Sequence, residues 1–167
     1  MKSIPDILRA LGDADVRFVL VGGFAVQLHG FVRTTIDVDL VLAMDSINLE
    51  RFISVARVFG LAPVIPVPLE ALADAEKIEQ WHREKGMLAF ALREPQIGGS
   101  VIDVLVRPEV QFDQLLANAV DVQLFDRDLK IASIDDLLVM KRAANRLKDR
   151  IDIEALEKIK RGEDPHA

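Results

Sequence analysis

The fold is decided by residues 16–43, which read VRFVLVGGFAVQLHGFVRTTIDVDLVLA. Val16–Val21 is an apolar, β-branched run, which predicts a strand, and it ends at the dipeptide Gly22-Gly23. The residues after the glycines can resume as a short helix. Thr35–Ala43 predicts a second strand, interrupted by carboxylates. The stretch therefore predicts strand, glycine turn, helix and strand in succession.

The rest of the chain predicts further helices and strands around this unit. A helix that begins with a capping box at Ser3 and Asp6 precedes it. We expect helices at Leu49–Phe59, Leu69–Lys85, Gln111–Ala119, Ile134–Asn145 and Asp149–Lys160, and strands at Met87–Leu92, Val101–Val106, Val122–Phe125 and Leu129–Ile131.

These elements predict one α/β (α+β) domain over residues 1–161, with a mixed twisted sheet flanked by helices. The site is expected at one edge of the sheet, around the glycine turn and the acidic strands. Residues 162–167 are predicted to form a flexible tail.

Composition excludes several classes of protein. The 167 residues are 50% hydrophobic, and a mass of 18.6 kDa suits one domain with a sizeable core. The apolar runs fall short of the roughly 20 residues that a membrane span needs, and no secretory signal is evident. The absence of cysteine excludes disulfides, thiol catalysis and cysteine-ligated metals, and is compatible with a cytoplasmic location.

Charge is distributed unevenly along the chain. A net charge of -6 argues against binding nucleic acid by bulk electrostatics alone. Residues 141–161, however, carry eight Lys or Arg against four Asp or Glu. This segment is either a solvated helical face or a local cradle for an anionic substrate.

Asp37 and Asp39 are unexpected inside a strand, because aspartate is depleted there. Side chains two residues apart on a strand leave the same face, about 6.6 Å apart along the chain. Two such carboxylates can converge on one cation. The alternative is a solvent-facing strand that happens to carry two acids.

Asp103 lies within VIDVLV, residues 101–106, where apolar residues on both faces predict a strand covered on both sides. A buried carboxylate requires a cation, a metal ion or a cluster of donors, or else becomes neutral. An arginine salt bridge is the main alternative to a metal.

The glycine pair lies at a strand-to-helix turn. Backbone without side chains can approach a ligand there and present N–H groups to phosphate beside a helix N-terminus. A plain tight turn would use the same residues.

Two further features lie in the last predicted helices. Lys141 falls on the apolar stripe of Leu137 and Leu138, so it should point inward, although its long stem could snorkel outward. Asp149 is interpreted as an N-cap, and Asp152 as the salt-bridge partner of Lys148 or as an accessory acid.

The combination resembles the DNA polymerase beta-like nucleotidyltransferase superfamily, whose pattern is a glycine pair, a helix, Asp-x-Asp and a third carboxylate on a later strand. It looks most like the small bacterial branch around AbiEii-type toxin nucleotidyltransferases. The resemblance is carried by VGGFA at residues 21–25, RTTIDVD at 33–39 and the closing segment 141–152.

The resemblance implies specific roles for these residues. Asp37, Asp39 and Asp103 would hold metal, with two Mg²⁺ ions expected, and carry catalysis. Lys148 and Asp152 would be accessory residues. The residues implied to bind the nucleotide triphosphate are Gly22, Gly23, Arg33, Thr35 and Lys141.

The implied reaction transfers a nucleoside monophosphate from an NTP to an acceptor hydroxyl or phosphate, with release of pyrophosphate. The acceptor would be a tRNA or other RNA, a protein, or a small molecule, and the basic segment slightly favours nucleic acid. The resemblance also implies a toxin role with a cognate antitoxin-like partner protein. The alternative is a catalytically silent nucleotide-binding or interaction module.

Overall fold

A seven-stranded mixed sheet forms the centre of the computed structural model, which describes residues 3–95 and 98–167. The strands are β1 (Phe18–Val21), β2 (Asp37–Leu42), β3 (Ala62–Pro63), β4 (Ala89–Arg93), β5 (Val101–Leu105), β6 (Val120–Leu124) and β7 (Arg127–Ile131). The helices are α1 (Ile4–Asp13), α2 (Gly22–Leu28), α3 (Ser46–Val58), α4 (Ala75–Lys85), α5 (Phe112–Asn118), α6 (Ile134–Ala144) and α7 (Leu147–Lys160).

The strand order is β3-β4-β5-β2-β1-β7-β6. The β2–β5 and β1–β7 pairs are parallel, and the other pairs are antiparallel. The mixed sheet with flanking helices is confirmed. The expected location of the site at an edge is wrong, because β7 pairs with β1 and continues the sheet beyond it.

Helix α1 begins as the sequence predicts. The Asp6 amide donates to the Ser3 hydroxyl, and the Ser3 amide donates to the Asp6 carboxylate at 3.0 Å. This capping box satisfies backbone donors that would otherwise lack partners at the helix start.

The single helix predicted over Leu69–Lys85 is wrong, because the chain breaks at Asp74. A short 3-10 helix spans Leu69–Ala73, and the Asp74 carboxylate then accepts from the Lys77 amide at 3.1 Å and caps α4. The aspartate offers the backbone a new helix start, which competes with continuation.

The turn between β6 and β7 lies at Phe125 and Asp126, earlier than the gap between the predicted strands Val122–Phe125 and Leu129–Ile131 implies. Phe125 and Asp126 have φ values of 53° and 60°, and Leu124 pairs with Arg127 across them. A two-residue turn with positive φ matches the twist of the adjoining strands.

The face of β2 and β5 that carries the three carboxylates is only partly buried around them, whereas the opposite face is fully buried. Val38 and Val104 are buried, whereas Asp37, Asp39 and Asp103 on the opposite face are half-buried. The prediction that the strand of Asp103 is covered on both sides is wrong, because the face that carries its carboxylate is partly open to solvent.

None of the helices within the described residues has both the length and the apolar character that a membrane crossing requires.

Candidate active site

The sheet register brings the three predicted carboxylates onto one face. Asp39 of β2 lies directly opposite Asp103 of β5. Asp37, two residues before Asp39, shares that face because side chains alternate along a strand. The face is half-open, so the three carboxylates can reach a ligand from solvent.

Burial and mutual repulsion both act on the carboxylates of the cluster. Burial, followed by the charges of Asp103 and Asp37, raises the pKa of Asp39 to about 6, although Lys141 and Lys148 act in the opposite direction. Burial, followed by the charge of Asp37, also raises the pKa of Asp103. A cation among these carboxylates would favour their ionised forms.

Gly22 lies directly against the cluster. Its φ of 67° is a left-handed conformation that other residues rarely adopt, and a Cβ there would be 1.9 Å from Asp39 Oδ2. The glycine is therefore required both by the turn after β1 and by the space that the Asp39 carboxylate occupies.

Gly23 is required by a different neighbour. A Cβ there would lie 2.3 Å from Arg33 Nη2 and 3.2 Å from Thr35 Oγ1. No side chain caps the start of α2, since the preceding Val21 offers no acceptor. The backbone amides in the first turn of α2 therefore have no side-chain hydrogen-bond partner. The proposed binding of phosphate by the glycine pair needs such amides, but a plain tight turn would leave them in the same state.

Arg33 and Thr35 brace the loop before β2. Arg33 Nη2 donates to Asp152 Oδ2 at 2.9 Å, and Arg33 Nε lies 2.8 Å from Asp152 Oδ1 without hydrogen-bond alignment. The Thr35 hydroxyl donates to the Asp37 carbonyl at 3.2 Å. These contacts tie the loop to α7 and to the start of β2.

Lys141 points inward, as the helical stripe predicts. Its side chain is 7% exposed, and Nζ lies 2.8 Å from Asp152 and 3.3 Å from Asp149. Both carboxylates belong to α7, so Lys141 joins α6 to α7 from the inside.

Asp149 is not the N-cap that the sequence suggested, because α7 begins two residues earlier, at Leu147. Arg146 occupies the N-cap position, and its amide donates to Asp149 at 3.0 Å while its guanidinium donates to the same carboxylate at 2.7 Å. Although burial opposes ionisation, these hydrogen bonds keep the pKa of Asp149 below its usual value.

The predicted pairing of Asp152 with Lys148 is wrong. Asp152 is 1% exposed and faces Lys141 and Arg33, whereas Lys148 is exposed on the surface of α7. No ion pair within 4.0 Å joins Lys148 to any carboxylate of the described residues. Its charge instead acts on the cluster, where it lowers the pKa of both Asp39 and Asp103 against the effect of burial.

The sequence interpretation missed the buried charge network as a unit. Arg33, Lys141 and Arg146 neutralise Asp149 and Asp152 below the glycine turn. The spacing Arg146-x-x-Asp149 was the one local signal for it, because residues three apart meet on a helix.

The residues present fit Mg²⁺ in donor chemistry. Carboxylate oxygens are the ligands that a hard cation prefers, and the β2–β5 register places three of these groups on one half-open face of the sheet. Over residues 3–95 and 98–167, no three His, Asp or Glu side chains already form a metal-binding group.

Two surface depressions lie away from these carboxylates. One of about 540 Å³ lies between α6 and α7 and includes Leu138 and Arg142, and one of about 460 Å³ is lined largely by α3. Neither includes a residue of the cluster, so the candidate site is an open sheet face rather than either depression.

The structure is similar to solved nucleotidyltransferases along almost its whole length. The lincosamide antibiotic adenylyltransferase LnuA, solved with lincomycin bound, matches with a TM-score of 0.61 at 16% identity over 92% of this chain and 93% of that one. ANT(2")-Ia, in complex with adenylyl-2"-tobramycin, matches with a TM-score of 0.57 at 13% identity over 93% and 86% of the two chains.

A third match is an antigenic nucleotidyltransferase-like protein from Paracoccidioides brasiliensis. Its TM-score is 0.56 at 18% identity, over 93% of this chain and 72% of that one. No protein-family model and no curated protein matches the chain. At these identities the matches establish the fold, which is that of nucleotidyltransferases, and they do not distinguish the AbiEii-type branch from others.

Proposed function

We propose that this protein is a metal-dependent nucleotidyltransferase that moves a nucleoside monophosphate from an NTP to an acceptor hydroxyl and releases pyrophosphate. The observation that carries the proposal is the register of β2 and β5, which sets Asp39 opposite Asp103 on the face of Asp37, beside Gly22. The shared fold supports it independently.

Asp37, Asp39 and Asp103 are the residues that would hold Mg²⁺. The bound cations would neutralise charge on the phosphoryl group during in-line transfer. Asp103 is also proposed to accept the proton of the acceptor hydroxyl, because it lies opposite Asp39 on the half-open face of the sheet. The open amides at Gly22 and Gly23 are proposed to bind phosphate oxygens.

The acceptor is proposed to be a small hydroxylated molecule. The candidate site is a half-open face of the sheet that carries Asp37, Asp39 and Asp103, so an acceptor hydroxyl can reach these carboxylates from solvent.

The basic segment gives less support to an RNA acceptor than its charge suggests. Six of its eight basic residues already form ion pairs with carboxylates, which fits a solvated helical face. A polyanion needs many uncompensated cations, and few remain here. Two structural neighbours are described with antibiotics bound, which agrees with a small acceptor.

The test is transfer of label from each α-labelled NTP, with Mg²⁺, into a fractionated cell extract. Label in the small-molecule fraction supports the proposal. Label in tRNA or other RNA would still indicate a nucleotidyltransferase, but its acceptor would be a nucleic acid. That result would agree with a toxin that has an antitoxin-like partner. Binding of an NTP without transfer to any fraction would favour the silent module.

A further inference from the structure

The loop between α2 and β2, residues 29–36, has no regular secondary structure of its own. It nevertheless carries Arg33 and leads directly into the strand that begins at Asp37. Arg33 Nη2 occupies the space beside Gly23, where a Cβ would lie only 2.3 Å from it. The position of this loop therefore decides what surrounds the glycine turn.

The chain reverses at the end of α7. The Gly162 amide donates to the Ile159 carbonyl at 2.9 Å, and the Glu163 amide donates to the Lys158 carbonyl at 2.9 Å. This pair of bonds is the Schellman arrangement that closes many helices. The residues that follow therefore leave the direction of the helix axis.

Residues 164–167 form a turn that presents an imidazole. The Ala167 amide donates to the Asp164 carbonyl at 3.3 Å, and Pro165 occupies the second position, where its fixed φ suits a β-turn. The Asp164 carboxylate accepts from the His166 amide at 2.9 Å and lies 3.4 Å from His166 Nδ1. His166 is thus held by contacts within its own segment.

His166 contacts the loop before β2 at two adjoining residues. The Val32 amide donates to His166 Nε2 at 3.1 Å, and the rings of Phe31 and His166 have centroids 5.3 Å apart. Nε2 accepts a hydrogen bond only when the proton of the neutral imidazole is on Nδ1, which is the nitrogen that lies near Asp164. The turn therefore supplies an acceptor to the loop immediately before Arg33.

We propose that His166 is a positioning residue for the candidate site, because it holds the loop before β2 so that Arg33 stays beside Gly23. This inference rests on the proposed nucleotidyl transfer, in which the glycine turn binds phosphate. Two adjacent residues of the loop are held from the C-terminal side of the chain, Arg33 by Asp152 of α7 and Val32 by His166. Without His166, the Arg33 side chain would still pair with Asp152, but the backbone that carries it would lose the bond at Val32.

The experiment uses two variants of His166 and one matched control. His166→Phe keeps an aromatic ring for Phe31 but cannot accept from Val32, and His166→Gln keeps an acceptor on a flexible side chain. His82→Ala is the control, because the His82 imidazole also bonds to a backbone group, the Met87 carbonyl at 2.9 Å, in a contact local to the end of α4.

Two quantities are measured for each protein. One is the rate at which the Val32 amide exchanges with solvent, followed by NMR without ligand. The other is the affinity for each Mg²⁺–NTP, measured by calorimetry. Val32 is exposed, so its amide meets water once the bond to His166 is lost.

For His166→Phe we expect Val32 exchange to rise and NTP affinity to fall, each about 3- to 10-fold, as for the loss of one hydrogen bond. His166→Gln should recover part of both changes. His82→Ala should leave both quantities within about twofold of the wild type, even where its melting temperature falls.

Four results would overturn the inference. Unchanged Val32 exchange in His166→Phe would show that the contact does not hold the loop. Faster exchange with unchanged NTP affinity would leave His166 a structural role alone while the proposed transferase stood. Equal losses of NTP affinity in His166→Phe and His82→Ala would indicate general destabilisation, and a wild type that binds no NTP would overturn both the inference and the proposed function.

Discussion

Replacement of Asp39 by asparagine should stabilise the protein at neutral and alkaline pH. Burial, Asp103 and Asp37 raise the pKa of this carboxyl from 3.8 to about 6. At about 1.4 kcal/mol per pH unit, this difference corresponds to about 3 kcal/mol of folding free energy lost when Asp39 is ionised without metal. The Asp39→Asn substitution keeps the shape of the side chain and removes the charge.

The sign of the pH dependence follows from the direction of the shift. The pKa of Asp39 is higher in the folded state than in the unfolded state. The wild type therefore loses no folding free energy from this group below about pH 4, and it loses the full amount above about pH 6. Asp39→Asn should therefore gain up to about 3 kcal/mol at pH 8, roughly half of that at pH 5, and almost nothing at pH 3.5.

The assay is urea unfolding of both proteins in EDTA across this pH range. Asp128→Asn is the matched control, because Asp128 is exposed on β7 away from the cluster, and we expect its stability to stay within about 0.5 kcal/mol of the wild type at every pH. A gain for Asp39→Asn that is independent of pH, or no gain at pH 8, would refute the reasoning.

The remaining predictions concern the glycine turn and the loop brace. Gly22→Ala should lose transfer and NTP binding, because its Cβ would overlap a carboxylate oxygen of the cluster. Gly60 also has a positive φ, of 70°, but nothing lies within 4 Å of its Cβ position, so Gly60→Ala should show only backbone strain of about 1–2 kcal/mol. Equal stability and activity losses in the two variants would contradict this. Arg33→Ala should lower the unfolding free energy by about 2–4 kcal/mol, since its partner Asp152 is buried. In the same urea assay, Arg17→Ala should lower it by about 1 kcal/mol or less, because the pair of Arg17 with Asp45 is exposed. Similar small effects in both arginine variants would show that the buried pair is not stabilising.

Local patterns predicted the elements that carry the site. The run from Val16, the glycine pair and the alternation around Asp37 and Asp39 each depend on neighbours a few residues away, and the structure forms strand, helix and strand there. The inward direction of Lys141 also follows from a local period, because its stripe repeats with the helix.

Register between distant strands could not be predicted in the same way. Asp103 is 64 residues from Asp39 in sequence, and only the parallel pairing of β2 with β5 sets them opposite each other. The sequence required a partner for Asp103 but left open whether that partner was an arginine or a shared cation.

Ion-pair partners were the least predictable feature. The spacing of Lys148 and Asp152 favours a pair on one helix, yet Asp152 bonds to Arg33, 119 residues away, and to Lys141 on the neighbouring helix. Burial decides the choice, because a carboxylate inside the protein gains more from buried cations than from an exposed lysine.

The central claim is that Asp37, Asp39 and Asp103 form a metal-dependent nucleotidyl transfer site. The most direct test measures pyrophosphate release from NTPs, with an acceptor-containing extract, as Mg²⁺ is titrated into the wild type, Asp39→Asn, Asp103→Asn and the control Asp128→Asn. We predict release that requires Mg²⁺ in the wild type and the control, and a loss of at least about 100-fold in the two cluster variants although both remain folded. Release that persists in EDTA, or that is equal in all four proteins, would contradict the account.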